Sequence, residues 1–300
     1  MILINGLPHF GRKLAQDLND LKGKHRFIFL NTYYSKKDKL KYFLLLPFSK
    51  MLISFNGVTD NSNALNWAMF WKKKIIMQWH GSDVLLAIER LKDETIKNRY
   101  LKKSTHFSDS DELLKELKPI IPQAKLVHFK YVSKKAVNYS YSKIEALTYI
   151  GQDNEKFYGW SKIKKLAVDN PQIVFNVVGS NSIDDHKFDN IKSYGWISKK
   201  ELNKLYKKCA IFIRLTDHDG FALTVLEAKS YGCEVIWSQD DHFDHHDYDD
   251  LRAQFSQSID KIKERGMKPN QEYLKELKLH FSKEHIIGNY YNEVVDALEN

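Results

Sequence analysis

Along the first 130 residues, short apolar runs rich in β-branched and aromatic residues alternate with segments whose apolar positions recur every three or four residues. The runs predict strands at Ile2–Asn5, Arg26–Asn31, Met51–Phe55, Lys74–Trp79, Thr105–Ser108 and Lys125–Phe129. The periodic segments predict helices following Gly11 to about Leu21, and over about 63–71, 87–103 and 111–118. Strand and helix taking turns in this way make a doubly wound parallel sheet, whose ligands lie at the carboxyl ends of the strands. Two features fall at such ends: the turn Gly6-Leu-Pro-His-Phe-Gly11 after the first strand, and His80-Gly-Ser-Asp83 after the fourth.

Residues 133–145 are polar and aperiodic and read as a linker. The alternation then restarts, with strands at Ala146–Ile150, Ile173–Val178, Ile191–Gly195, Ala210–Ile213 and Val235–Trp237. Helices are expected at 160–168, at Lys199–Lys208, and from about Leu223 to Tyr231, where Gly232 stops the turn. A final helix, about Ile286–Leu298, carries Ile287, Tyr290, Tyr291, Val294 and Leu298 on one face and must pack against something. The fold class is therefore α/β with two doubly wound domains, 1–145 and 146–283, the second followed by a helix over 284–300.

Composition narrows the class. At 300 residues with 43% hydrophobic side chains the chain can bury two ordinary cores. Two cysteines, Cys209 and Cys233, make no disulfide framework and point to a reducing, cytoplasmic compartment. Met1-Ile-Leu-Ile lacks the pattern of a secretory leader, and the run Tyr42–Phe48 is too short to span a bilayer. The net charge of +9 is unevenly placed: residues 1–145 hold 26 Lys+Arg against 13 Asp+Glu (+13), and residues 146–300 hold 21 against 25 (−4). A basic first half suits an anionic membrane surface, an anionic acceptor or nucleic acid. No nucleic-acid-binding motif accompanies the charge, so no nucleic-acid partner is expected.

The densest chemistry lies between Arg214 and Trp237. A strand leads into a polar loop with Asp219-Gly220, and the helix beginning near Leu223 carries Glu227. Such a junction offers backbone N–H groups and a positive dipole end to an anion, while carboxylates accept hydrogen bonds from hydroxyls. Phosphate and sugar hydroxyls together suggest a sugar nucleotide.

The two doubly wound domains, His80-Gly-Ser-Asp, and Asp219-Gly-Phe-Ala-Leu-Thr-Val-Leu-Glu227-Ala resemble family 4 retaining glycosyltransferases of the GT-B fold, in which two Rossmann-like domains face a cleft. That family has Glu-Gly-Phe-Gly-Leu-x-x-x-Glu-Ala; here Asp219 replaces the first Glu and Ala222 the second Gly. The resemblance implies a nucleotide-diphosphate sugar as donor, a saccharide or lipid-linked acceptor, and no cofactor or metal. It assigns Glu227 to the ribose hydroxyls, Asp219 to the donor sugar, and the N–H groups near Leu223 and Thr224 to the diphosphate. Lys156 matches one of the family's two phosphate cations, but Gln152 stands where the other, an Arg, is usual. Arg214 lies where it could replace that charge. His80 would touch the donor sugar or nearby backbone, and Gly6, Gly11, Gly179, Gly220 and Phe221 complete the donor-binding set. The base would be met near Val178–Asn181 and Gly195-Trp196, and the last helix would cross back onto the first domain.

Three readings stand beside this one. Gln152 and the short length are compatible with a catalytically silent scaffold partnering an active transferase. The segment Asp240–Asp250 mixes carboxylates and imidazoles, but its spacing matches no known metal cage, so it reads as an acidic surface loop with no metal. Residues 33–50 and 67–74 interleave aromatics with lysines, which fits either a core with solvated lysines or a peripheral contact with an anionic membrane at its inner face.

Overall fold

A computed structural model describes residues 1–133, 137–183, 188–239 and 244–299. The chain divides into two compact units, Met1–Lys130 with Lys283–Asn300, and Tyr131–Ser282.

The first unit begins with β1 (Ile2–Gly6), α1 (Pro8–Asp20), β2 (Phe27–Phe29), α2 (Lys36–Leu45) and β3 (Met51–Phe55). It continues with α3 (Asn63–Phe70), β4 (Lys74–Trp79), α4 (Ser82–Lys92), α5 (Asn98–Lys102), β5 (Thr105–Ser108), α6 (Asp111–Leu117) and β6 (Lys125–Leu126). Its six strands form one sheet in the order β2-β1-β3-β4-β5-β6, every neighbouring pair parallel, with Ile2 opposite Met51 and Met51 opposite Lys74. The three central strands are buried from end to end apart from Lys74, as the unbroken apolar runs predict for a sheet covered on both faces.

The second unit holds β7 (Glu145–Tyr149), α7 (Trp160–Asp169), β8 (Val174–Val178), β9 (Ile191–Ser193), α8 (Lys199–Lys208), β10 (Ile211–Arg214), α9 (Leu223–Ser230), β11 (Glu234–Trp237), α10 (Tyr248–Glu264) and α11 (Gln271–His280). Its five strands run parallel in the order β11-β10-β7-β8-β9. At the start of β7 the Glu145 carboxylate is fully buried, held by Lys208 at 2.7 Å, Asn176 at 2.9 Å and Lys143 at 3.1 Å. Both cysteines are buried and free.

The last helix, α12 (Lys283–Glu299), belongs to the first unit. Ile287, Tyr290 and Val294 are fully buried; Tyr290 meets Phe107 edge-on, and Lys283 reaches Asp17 and Asp20 of α1.

Several expected boundaries move. Residues 131–133 and 137–145 count with the second unit rather than closing the first domain. The Tyr141 N–H donates to the Met267 carbonyl, and the Tyr139 and Tyr141 hydroxyls donate to the carbonyls of Tyr231 and Gly232. Residues 134–136 of the expected linker lie outside the described residues. The helix expected at 87–103 is two helices, α4 and α5, and α4 starts at Ser82. Helix α1 starts at Pro8, whose ring presets φ for a first helical turn. Gly11 is thus inside the helix, not the end of a turn. Helices α2, α10 and α11 have no counterpart in the sequence reading.

Candidate active site

In the second unit, β10 delivers Arg214 at its carboxyl end and α9 carries Glu227 one turn inside. Among the described residues no side chain caps α9, so the leading N–H groups, those of Leu223 and Thr224, are left for an anion. The Glu227 carboxylate is only 18% exposed; one oxygen pairs with Lys199 and the other lies 3.4 Å from the Tyr206 hydroxyl. Burial, then the negative charge of Glu227, hold the Tyr206 phenol protonated far beyond its ordinary range.

Asp219 is held from three sides. Its Oδ2 pairs with the Arg214 guanidinium and accepts from the Thr216 hydroxyl at 3.3 Å and the Trp237 indole N–H at 3.4 Å. Arg214 also lies over the Tyr158 ring, 5.6 Å from its centroid. The Arg214–Asp219 pair is nearly buried, so Arg214 comes to any diphosphate with its charge already balanced. Phe221 stacks on Phe281 at 5.1 Å, beside the buried Gly220.

Gln152 joins two loops. Its carbonyl accepts from the Asn181 N–H at 2.8 Å while its amide donates to Asp153 at 2.8 Å. An arginine there could not accept. Asn181 in turn accepts from the Trp196 N–H at 3.3 Å, so Gln152, Asn181 and Trp196 form one chain across the segments expected to meet a base. Gly179 has φ +100°, and a Cβ there would sit 2.4 Å from the Tyr149 ring. Lys156 is exposed on the same loop as Gln152.

In the first unit, His80 follows β4, its ring packed among Phe55 at 5.0 Å, Phe129 at 5.1 Å and Phe10 at 6.4 Å. Both ring nitrogens are shut from solvent without a hydrogen-bond partner among the described residues. Burial, reinforced by the Lys130 charge, lowers its pKa well below the ordinary histidine value. A neutral imidazole with two unsatisfied nitrogens is a contact for a hydroxyl or amide rather than a general base at neutral pH. Lys130 forms a buried 2.5 Å pair with Asp109 and lies over the Phe10 and Phe129 rings.

The neighbouring Asp83 holds the backbone around it. Its carboxylate accepts from the N–H groups of Gly57 at 2.7 Å, Gly81 at 2.9 Å, His80 at 3.0 Å and Val84 at 3.0 Å. It thereby fixes the backbone on which His80 stands. Gly6, at φ +107°, passes the Phe55 carbonyl so closely that a Cβ would lie 2.4 Å from it. Gly11 faces the Phe29 ring inside α1, where a side chain would clash at 2.7 Å. Beside them opens a cavity of about 550 Å³ lined by Asn5, Ser54, Asn56, Thr59 and Arg90, among others.

Residues 145–245 match the family model "Glycosyl transferases group 1". Over the whole chain, the structure resembles a sucrose-phosphate synthase from Thermosynechococcus elongatus (12% identity, 99% of this chain and 100% of that one, TM-score 0.72). It also resembles a glycosyltransferase from Rickettsia africae (12% identity, 100% and 99%, TM-score 0.70). The pneumococcal O-GlcNAc transferase GtfA, solved with UDP and GlcNAc, aligns at 12% identity and TM-score 0.61 over 89% of this chain but only 61% of its own. The fold is GT-B. A comparison of the sequence with curated proteins finds no match.

On this GT-B frame, sequence reasoning missed the two partners of Glu227. Lys199 and Tyr206 stand seven residues apart in α8, hence on one helix face, and only the packing of α8 beside α9 brings that face to Glu227. It also missed Phe10 and Phe129 around His80. In the segment read as an acidic loop, residues 240–243 lie outside the described residues. His245 and His246 come within 4.8 Å of Asp217, a largely exposed trio whose ligand atoms could hold a metal ion.

Proposed function

We propose that the chain is a retaining glycosyltransferase that moves a sugar from a nucleotide-diphosphate sugar to a saccharide or lipid-linked acceptor without a metal. The matched glycosyl transferase model over the second unit and the UDP-bound GT-B neighbour support nucleotide-sugar glycosyl transfer. The observation that carries the reading is Glu227, a shielded carboxylate one turn into a helix whose N-terminus no side chain caps among the described residues. Ribose hydroxyls would donate to that carboxylate. The diphosphate would sit against the Leu223 and Thr224 N–H groups, with Lys156 supplying a cation. As the sugar–phosphate bond breaks, negative charge grows on the leaving phosphate and these donors stabilise it. Asp219 would meet the donor sugar, and Arg214 serves first to orient Asp219. His80, neutral and without a hydrogen-bond partner among the described residues, would accept or donate one hydrogen bond at the sugar. The reaction is assigned to the cytoplasm.

A thermal-shift panel of UDP-, GDP-, ADP- and TDP-sugars tests the reading, followed by donor hydrolysis with and without EDTA. One nucleotide should raise the melting temperature, and hydrolysis should persist in EDTA and disappear in Glu227→Ala. No shift with any of the four, and no hydrolysis to abolish, would instead support the silent-scaffold reading that Gln152 favours.

A further inference from the structure

Helix α2 leaves outward what a water-facing helix would bury. Of its apolar residues only Tyr42 is buried, while Leu40 is 63% and Leu44 62% exposed. Helix α3 and its end add Phe70, 69% exposed, with Trp67 and Trp71 also outward. The two helices form one patch. Phe43 meets Trp67 edge-on at 5.4 Å, and the ladder runs on from Trp67 to Phe70 and from Phe70 to Trp71, each at 5.6 Å. Phe48, 79% exposed, follows α2.

Charge says what could cover it. Residues 33–50 and 67–74 contain eight lysines and a single acid, Asp38, whose carboxylate already accepts from the Asn31 N–H at 2.9 Å. Lys36, Lys37, Lys41, Lys50 and Lys72, within or next to the same two segments, are exposed. A second copy seated on this patch across a two-fold axis would set lysines against lysines. An anionic lipid surface meets both demands: aliphatic and aromatic side chains enter the headgroup–acyl boundary, and lysines reach the phosphates.

The cavity in this unit adds the second half, since Lys39, Phe43 and Ala64 of the same two helices form part of its wall. The remaining lining is rich in Asn, Ser and Thr, with Arg90 bonded to Thr59 at 2.7 Å and Asp60 at 2.8 Å. Paired amide, hydroxyl and guanidinium groups of this kind suit a hydroxyl-rich ligand.

We propose that the α2–α3 face docks on an anionic lipid surface and that the cavity it walls takes the hydroxyl-rich headgroup of a lipid-linked acceptor. The headgroup half rests on the glycosyltransferase reading above; the docking half does not.

The test is co-sedimentation of the full chain with phosphatidylcholine vesicles, with and without phosphatidylglycerol. Binding should be at least about tenfold stronger on the anionic vesicles and fall at high salt. Leu44→Ser with Phe70→Ser, and separately Lys36→Glu with Lys37→Glu, should each lower it at least about tenfold at unchanged melting temperature and unchanged hydrolysis of free donor. Equal binding to neutral vesicles, or variants that bind like wild type, would overturn the docking. So would a dimer in solution that the same substitutions split, which would make the face a self-interface. Arg90→Ala should keep vesicle binding and lose transfer to a glycolipid acceptor; retained transfer would overturn the headgroup half. Vesicle binding without donor hydrolysis in the wild type would remove the glycosyltransferase reading and the headgroup half with it, and leave the docking standing.

Discussion

Replacing Glu227 by Gln separates a ribose anchor from a residue that merely holds α8 to α9. The carboxylate offers both oxygens to a ribose diol, and each charge-assisted hydrogen bond is worth roughly 1.5–3 kcal/mol. The amide keeps one acceptor and loses the charge, so nucleotide binding should weaken by about one such bond, roughly tenfold to 150-fold in Kd. The fold should hardly notice. The Lys199 partner is 57% exposed, and a pair of that kind contributes no more than about 1 kcal/mol. Titration calorimetry with the nucleotide found in the panel gives Kd, and urea unfolding gives stability. Lys199→Met, measured in parallel, should leave Kd within about threefold, because the ribose takes over the oxygen that Lys199 releases. A Glu227→Gln protein that binds nucleotide like wild type but has lost more than about 2 kcal/mol of stability would refute the reasoning.

Two further predictions concern loops and pH. Gln152→Arg restores the charge that the resembling family carries, at the cost of the acceptor for the Asn181 N–H. Since both groups are exposed, stability should fall by less than about 1 kcal/mol while kcat rises about tenfold; an unchanged kcat would show that loop geometry, not charge, is what Gln152 provides. At Glu145, burial raises the carboxyl pKa, but Lys208, Asn176 and Lys143 outweigh it and hold the group below its ordinary value. Its stabilisation is therefore complete above the unfolded glutamate pKa of about 4.3 and is lost as pH falls through the lower folded value. Glu145→Gln should give a lower melting temperature at pH 7 and a shallower decline below about pH 4; parallel melting curves for the two proteins would contradict this.

How far the site can be read in advance depends on whether its parts are near in sequence. Asp219 and Glu227 share one loop and helix, so local pattern alone placed them at the same strand end. The anchors of those acids are another matter. Arg214 was a candidate for the missing phosphate cation, yet the turn after β10 folds Asp219 back onto it. His80 gave no sign of the Phe10 and Phe129 rings that desolvate it, which arrive from residues 70 before and 49 after.

The same distinction divides the whole chain. Runs of apolar residues long enough for a strand, spaced by helical periods, determined by themselves that there would be two parallel sheets, because burial on both faces leaves no polar alternation to mimic. The apolar face of residues 287–298 likewise demanded a partner. Tertiary structure alone decided where the helices start and what their faces meet. Asp83 ties the start of α4 at Ser82 to a distant loop, accepting from the Gly57 N–H as well as from the adjoining His80, Gly81 and Val84 N–H groups. Helix α2 has no apolar stripe of one-sided burial to announce it, since Leu40, Phe43 and Leu44 point outward among lysines. Periodicity records which face a segment buries within its own unit; it is blind to a face kept for something outside the chain, and to any partner that only the folded sheet brings near.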